Sequence, residues 1–260
     1  MKEDEKRYVM NFDIMYYITL ACPTVEASVK KIREYYNHGV RVFQLDMPSS
    51  DPYGETDFVK GCMANALARC SDYSFYMDII RSLRKELPDI ELSMVAYYDV
   101  VDAIGIDTYI QFLHEINAVQ NGIVGGRPEQ MRCMAAQGFK TGYGISYSAP
   151  EDDLEDLKTV TVDRDDFFYM RTKRRVETVN RKYPTWKQRV DLVRSYGYSN
   201  PIIAVADVRT KEDLEERRDA GISRVIVGNV LMNLWGNEHK LWELLSEFQS
   251  TERSQKCLSE

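Results

Sequence analysis

Residues 44–57 read QLDMPSSDPYGETD. A short apolar run, Val40 to Phe43, leads into this stretch, and Pro48, Pro52 and Gly54 break regular structure inside it. The turn carries four side-chain carboxylates: Asp46, Asp51, Glu55 and Asp57. A strand that empties into an acidic, proline-punctuated loop is where a parallel α/β protein usually places its chemistry. Each acid alone also fits a solvated loop, or the cap of a helix beginning near Thr56. The set of four is what points to a site.

On either side, apolar strand runs alternate with amphipathic helices. Strands are predicted at 14–20 (IMYYITL), 40–46, 91–97 (ELSMVAY), 122–124, 140–146, 166–170, 201–207 (PIIAVAD) and 223–227. The seventh is continuous and apolar, as in a strand buried on both faces. After the first strand, Thr24 is placed to cap a helix whose Val25, Val29, Ile32 and Tyr36 recur at helical spacing. Further helices are predicted over 58–69, 73–87, 106–116, 129–137, 152–157, 186–196, 211–220, 230–234 and 239–248. Eight strands, each followed by a helix, in 260 residues predict a single-domain (β/α)8 TIM barrel over 1–250. The polar tail, 251–260, is expected to be disordered. No GxGxxG follows the first strand, which disfavours a dinucleotide fold.

Composition excludes several classes. A formal net charge of -7 argues against a nucleic-acid binder. No apolar run reaches membrane-span length, and MKEDEKRYVM has no signal-peptide core. Cys22, Cys62, Cys70, Cys133 and Cys257 are scattered without a CxxC pair, as expected of free thiols in a reducing cytoplasm. His38, His114 and His239 fall on or at the ends of predicted helices, so neither a histidine zinc site nor a Ser-His-Asp triad is expected. No cofactor or resident metal is expected.

The chain resembles the tryptophan synthase alpha subunit family from about Tyr16 to Trp235. YITLACPTVEAS and GVRVFQLDMPSSDPYGETDFV look like that family's first strand and helix and its strand-two signature E-L-G-x-P-x-S-D-P-x-x-D-G-P. SMVAYYD resembles its L-M-x-Y-x-N, and PIIAVADVRTKEDLEERRDAGISRVIVGNVL its phosphate-binding segment. The resemblance implies retro-aldol cleavage of indole-3-glycerol phosphate to indole and glyceraldehyde-3-phosphate. It also implies a beta-type subunit that receives the indole, with Pro48, Asp51 and Pro52 in the docking loop. In the family a Glu ending the second strand moves the protons, and an Asp in the next loop stabilises charge on the ring nitrogen.

This sequence departs from the pattern at the positions that matter most. The family's catalytic Glu falls on Gln44, whose amide cannot exchange a proton near pH 7. The second acid falls on Glu55, and a family glycine falls on Asp46. Gln44 and Asp46 share a face of the strand, so Asp46 is placed to take over acid–base duty. Tyr97 is expected to line the pocket. At the phosphate end Asp207 replaces a glycine, Arg209 can neutralise it, and a basic loop, RTKRRVETVNRKYP, begins at Arg171. Gly228 is kept, with Asn229 after it. Two alternatives stay open. One is a barrel enzyme with another substrate, whose acidic rim of Asp46, Glu55, Asp99 and Asp207 suits Mg²⁺ or a cation. The other is a non-catalytic partner of a beta-type subunit.

Overall fold

A computed structural model of the chain describes residues 12–171, 180–205 and 207–256. Its strands form one sheet in the order β4-β3-β2-β1-β8-β7-β6-β5. They are β1 (Asp13–Thr19), β2 (Val42–Asp46), β3 (Glu91–Tyr97), β4 (Gly122–Val124), β5 (Gly142–Ile145), β6 (Phe167–Arg171), β7 (Ile202–Val205) and β8 (Arg224–Val227). The registered pairs are parallel, with helices between successive strands. This is the expected (β/α)8 fold. First and last strands lie side by side, which is how sequential βα units wrap round.

The described residues divide into two compact units, one comprising 15–143 with 226–242 and the other drawn from 12–14, 144–171, 180–205, 207–225 and 243–256. In the first unit, β1 feeds α1 (Val25–Asn37), and Thr24 caps that helix as predicted, its hydroxyl accepting from the Ala27 N–H at 3.2 Å. The register sets Tyr17 beside Gln44, Thr19 beside Asp46, and Gln44 beside Ser93. Three neighbouring strand ends therefore carry the candidate residues abreast. After the acidic loop come α2 (Asp57–Arg69), capped by Thr56, and α3 (Tyr73–Glu86), capped by Asp72. A helix absent from the sequence reading, α4 (Tyr98–Ile104), follows β3 directly and places Asp99 in its first turn. Next are α5 (Ile106–Glu115) and α6 (Pro128–Ala136).

The other unit holds α7 (Pro150–Leu157), α8 (Trp186–Ser195) and α9 (Lys211–Asp219). Here Arg189 is buried, its guanidinium 4.1 Å from the Trp186 ring centroid and its Nη1 donating to the Arg171 carbonyl at 2.8 Å. After β8 the chain turns through α10 (Asn229–Met232) into α11 (Glu238–Lys256). The final helix runs eight residues beyond its predicted end at Phe248, so 251–256 are helical rather than a disordered tail. Thr251 is fully buried, and Glu252 accepts from the Ile14 N–H at 2.7 Å, which anchors that extension in its unit. Strand β2 starts at Val42 rather than Val40, and β7 ends at Val205, which leaves Asp207 in the loop beyond it. Tyr8, Val9 and the basic residues Lys173, Arg174 and Arg175 lie outside the described residues. No described helix is long and apolar enough to cross a membrane.

Candidate active site at the strand ends

Gln44 and Asp46 are both buried, at 4% and 1% exposure, on the same face of β2. The Tyr17 hydroxyl donates to Asp46 Oδ2 at 2.6 Å. Asp46 Oδ1 has no hydrogen-bond partner among the described residues, nor does the Thr19 hydroxyl, its neighbour in register. No cation is recorded acting on Asp46; burial first, and the Glu55 charge second, push its carboxyl well above the usual carboxylate range. Glu55 is partly buried and is also raised, again by burial first, with the Tyr97 and Tyr17 hydroxyls and the Lys60 charge offsetting part of the rise. The Tyr97 hydroxyl donates to Glu55 Oε1 at 3.2 Å. Burial and the two acids push both phenols up, so Tyr17 and Tyr97 remain protonated donors.

The result is a carboxyl pair held by two tyrosines. Asp46, the more buried member, keeps its proton to higher pH, and Glu55 ionises first. The Tyr97 ring is pinned by the loop: Tyr53 packs edge-on against it at 5.5 Å between centroids. Gly54 lies beneath the Tyr97 hydroxyl, where an added Cβ would sit at 2.9 Å. Gln44 is less engaged. Its Nε2 reaches Ser93 Oγ only at 3.5 Å, the long limit for a hydrogen bond.

Asp99 belongs to this unit but turns to the loop. Its Oδ1 accepts from the Ser49 hydroxyl at 2.7 Å, and its Oδ2 from the Ser50 N–H at 2.7 Å and hydroxyl at 2.6 Å. Burial opposes ionisation, but these donors outweigh it and hold Asp99 below the usual range. The Tyr73 hydroxyl donates to the Pro48 carbonyl at 3.0 Å, and Tyr98 to Asp51 at 3.1 Å. Pro48 is buried under this clamp, Pro52 is half-buried, and Asp51 is exposed. Gly228 lies against Tyr17, and Asn229 opens α10.

The remaining candidates are in the other unit. Asp207 and Arg209 are exposed and pair with each other at 2.8 Å, as expected for Arg209. Arg171 ends β6, its carbonyl held by Arg189. Thus Asp46, Glu55 and Tyr97 come together with Tyr17, and Asp99 is engaged by the loop. Among the described residues, no three His, Cys, Asp or Glu side chains converge as a metal ion needs. A surface cavity of about 200 Å³ beside Pro23, Arg69 and Phe75 contains none of these acids.

The sequence profile of the tryptophan synthase alpha chain family matches residues 4–257. The chain belongs to the tryptophan synthase alpha chain family. It is 22% identical to the tryptophan synthase alpha chain of Aquifex aeolicus, with 85% of each chain covered. Its fold is similar to that of tryptophan synthase subunit alpha from Legionella pneumophila, at a TM-score of 0.72, 21% identity and 93% and 92% coverage. It is also similar to a chain of the tryptophan synthase complex from Pyrococcus furiosus, at a TM-score of 0.71, 16% identity and 91% and 97% coverage. Membership gives the chain an alpha-subunit-like place in tryptophan biosynthesis. Within the family pattern the departures now have geometry. The amide of Gln44 and the buried carboxyl of Asp46 lie two residues apart on one face of β2.

Tyr17 was not singled out from sequence. In IMYYITL it reads as one apolar strand residue among seven, and only the β1–β2 register reveals that its hydroxyl meets Asp46.

Proposed function

We propose that the chain is an alpha-subunit-like lyase in which Asp46 performs the proton transfers that Gln44 cannot. The observation that carries this reading is the buried Asp46 carboxyl, paired with Glu55 and held by Tyr17. Retro-aldol cleavage of indole-3-glycerol phosphate needs an acid for the ring carbon and a base for the side-chain hydroxyl. Asp46, protonated, gives its proton to the ring carbon, and positive charge develops at the ring nitrogen. Glu55, the first of the pair to ionise, balances that charge. The Asp46 carboxylate then takes the hydroxyl proton, the carbon–carbon bond breaks with its electrons returning to the ring, and indole leaves with an aldehyde. Asp46 ends protonated, ready for the next turnover. Gly228 and Asn229, in the same unit as Asp46, are the candidate contacts for the phosphorylated end.

A beta-type subunit is the proposed partner, engaging the loop of Pro48, Asp51 and Pro52. A second reading rests on that loop. Asp99, Tyr73 and Tyr98 hold its shape at a chain position where the family acid is missing, as suits a non-catalytic activator. An indole-release assay separates the two. Indole formed by the wild type and lost in Asp46→Asn supports the lyase. A wild type that forms no indole, with or without a beta subunit, but changes the beta subunit's rate supports the activator.

A further inference from the structure

Gly228 has a physical explanation independent of any phosphate. A Cβ added there would meet Tyr17 Cδ1 at 2.5 Å, Tyr17 Cβ at 3.0 Å and the Tyr17 carbonyl at 3.0 Å. The first distance is well inside van der Waals contact, and the atom belongs to a ring whose far end is bonded to Asp46 at 2.6 Å. Tyr17 is 9% exposed, so its ring has little room to yield. The hydrogen at Gly228 is thus what lets the ring pack against the end of β8 while its hydroxyl reaches Asp46 on β2. Tyr17, in turn, fixes Asp46 Oδ2, while Oδ1 makes no hydrogen bond of good geometry, with only the Thr19 hydroxyl acting on the carboxyl besides.

We infer that Tyr17 is a positioning residue for Asp46 and that Gly228 is the seat on which the Tyr17 ring rests. The inference builds on the proposed lyase reading but concerns how the carboxyl is held, whatever it acts on. Through its hydrogen bond, Tyr17 orients Asp46 Oδ1 towards the reacting atom. It also keeps the carboxyl low enough in pKa to release its proton in turnover, because a donor to the charged form opposes the rise that burial imposes.

The test is a ¹³C NMR titration of the whole chain labelled at aspartate Cγ, with the Asp46 signal assigned by its loss in Asp46→Asn. Tyr17→Phe keeps the ring and its contact with Gly228 and removes only the hydroxyl. The Asp46 midpoint should move to higher pH, and kcat for indole release should fall about tenfold with KM unchanged, the loss of one hydrogen bond. A midpoint that stays or moves down overturns the positioning role. The titration needs no turnover, so a chain that releases no indole yet shows the shift sinks the lyase reading and keeps this one.

The seat is tested by urea denaturation of Gly228→Ala in the wild-type and Tyr17→Ala backgrounds. The alanine should lower the midpoint much more where the ring is present. Equal losses, or failure to fold in both backgrounds, overturn the seat. Folding only in the Tyr17→Ala background supports it.

Discussion

Asp46 and Asp99 lie in one compact unit, each at the end of a neighbouring strand, and their environments push them in opposite directions. Asp99 accepts three hydrogen bonds from Ser49 and Ser50 and stays ionised. Asp46 meets only the Tyr17 and Thr19 hydroxyls while facing the charge of Glu55, and burial pushes its carboxyl well up. The same side chain is therefore pulled down where donors surround it and pushed up where burial and a like charge do. What decides the role is the count of donors, and that count is set by which loop residues reach each carboxyl.

The largest expected effect breaks the contrast at its acid. Asp46→Asn should lower indole release by about 10²–10⁴-fold, the usual range for losing a general acid–base, while Asp99→Asn should stay within about tenfold. Steady-state kinetics of both variants check this, and the reverse order would assign the chemistry to the wrong carboxyl.

Next comes Gln44→Glu, which places a carboxyl beside Ser93, where the resemblance expects one. It should rescue indole release in the Asp46→Asn background by at least about tenfold if the scaffold still presents the substrate to the older position. A rescued rate below that of the single variant would show that the reacting carbon has moved away from residue 44.

A third measurement sharpens the contrast through pH. Asp46 has a folded pKa above its unfolded value, so between the two the native state keeps a proton that the unfolded chain has lost. Stability therefore falls as pH rises across that window, which begins near the ordinary carboxyl value of about 3.9. Asp99 has a folded pKa below its unfolded value. Its contribution is present above the ordinary value and is lost as pH falls through the folded one. Urea denaturation against pH should show the first slope reduced in Asp46→Asn, the remainder belonging to Glu55, and the second reduced in Asp99→Asn. A wild-type profile unchanged by either substitution would remove the electrostatic distinction.

The smallest effect is expected at the exposed Asp207–Arg209 pair. Arg209→Ala should leave the melting temperature unchanged within error, since solvent screens such pairs. A clear drop would mean that the pair is organised by more than its two side chains.

Much of this was legible in the sequence because hydrophobic period reports burial directly. The apolar runs at 14–20, 91–97 and 223–227 fall on strands, and Thr24 caps its helix as its position before Val25 suggests. The loop's acids and prolines pointed to the candidate site. Other features left no such signal. Helix α4 has no side-chain cap at Tyr97 and only seven residues, so nothing between the strand ending at Tyr97 and the helix at Ile106 announces it. The polar stretch after Phe248 hides a helix because its anchors, Thr251 and Glu252, are polar residues engaged by tertiary contacts. The partnership of Tyr17, Gly228 and Asp46 joins three distant segments, and only strand order brings them together.

The step from Gln44 to Asp46 also has a length. Two residues along a strand advance the chain by about 6.5 Å, roughly the width of a fused bicyclic ring. Relocating the acid by that distance shifts the plane in which a bond can be cut, while everything that grips the rest of the molecule is free to stay put. A ligand reaching the new plane must either sit nearer the C-terminal tips of the strands or carry its breakable bond about one ring further from its anchored end. On the proposed lyase reading, the spacing between an amide and an acid on one strand thus acts as a ruler for the compounds that can be cleaved.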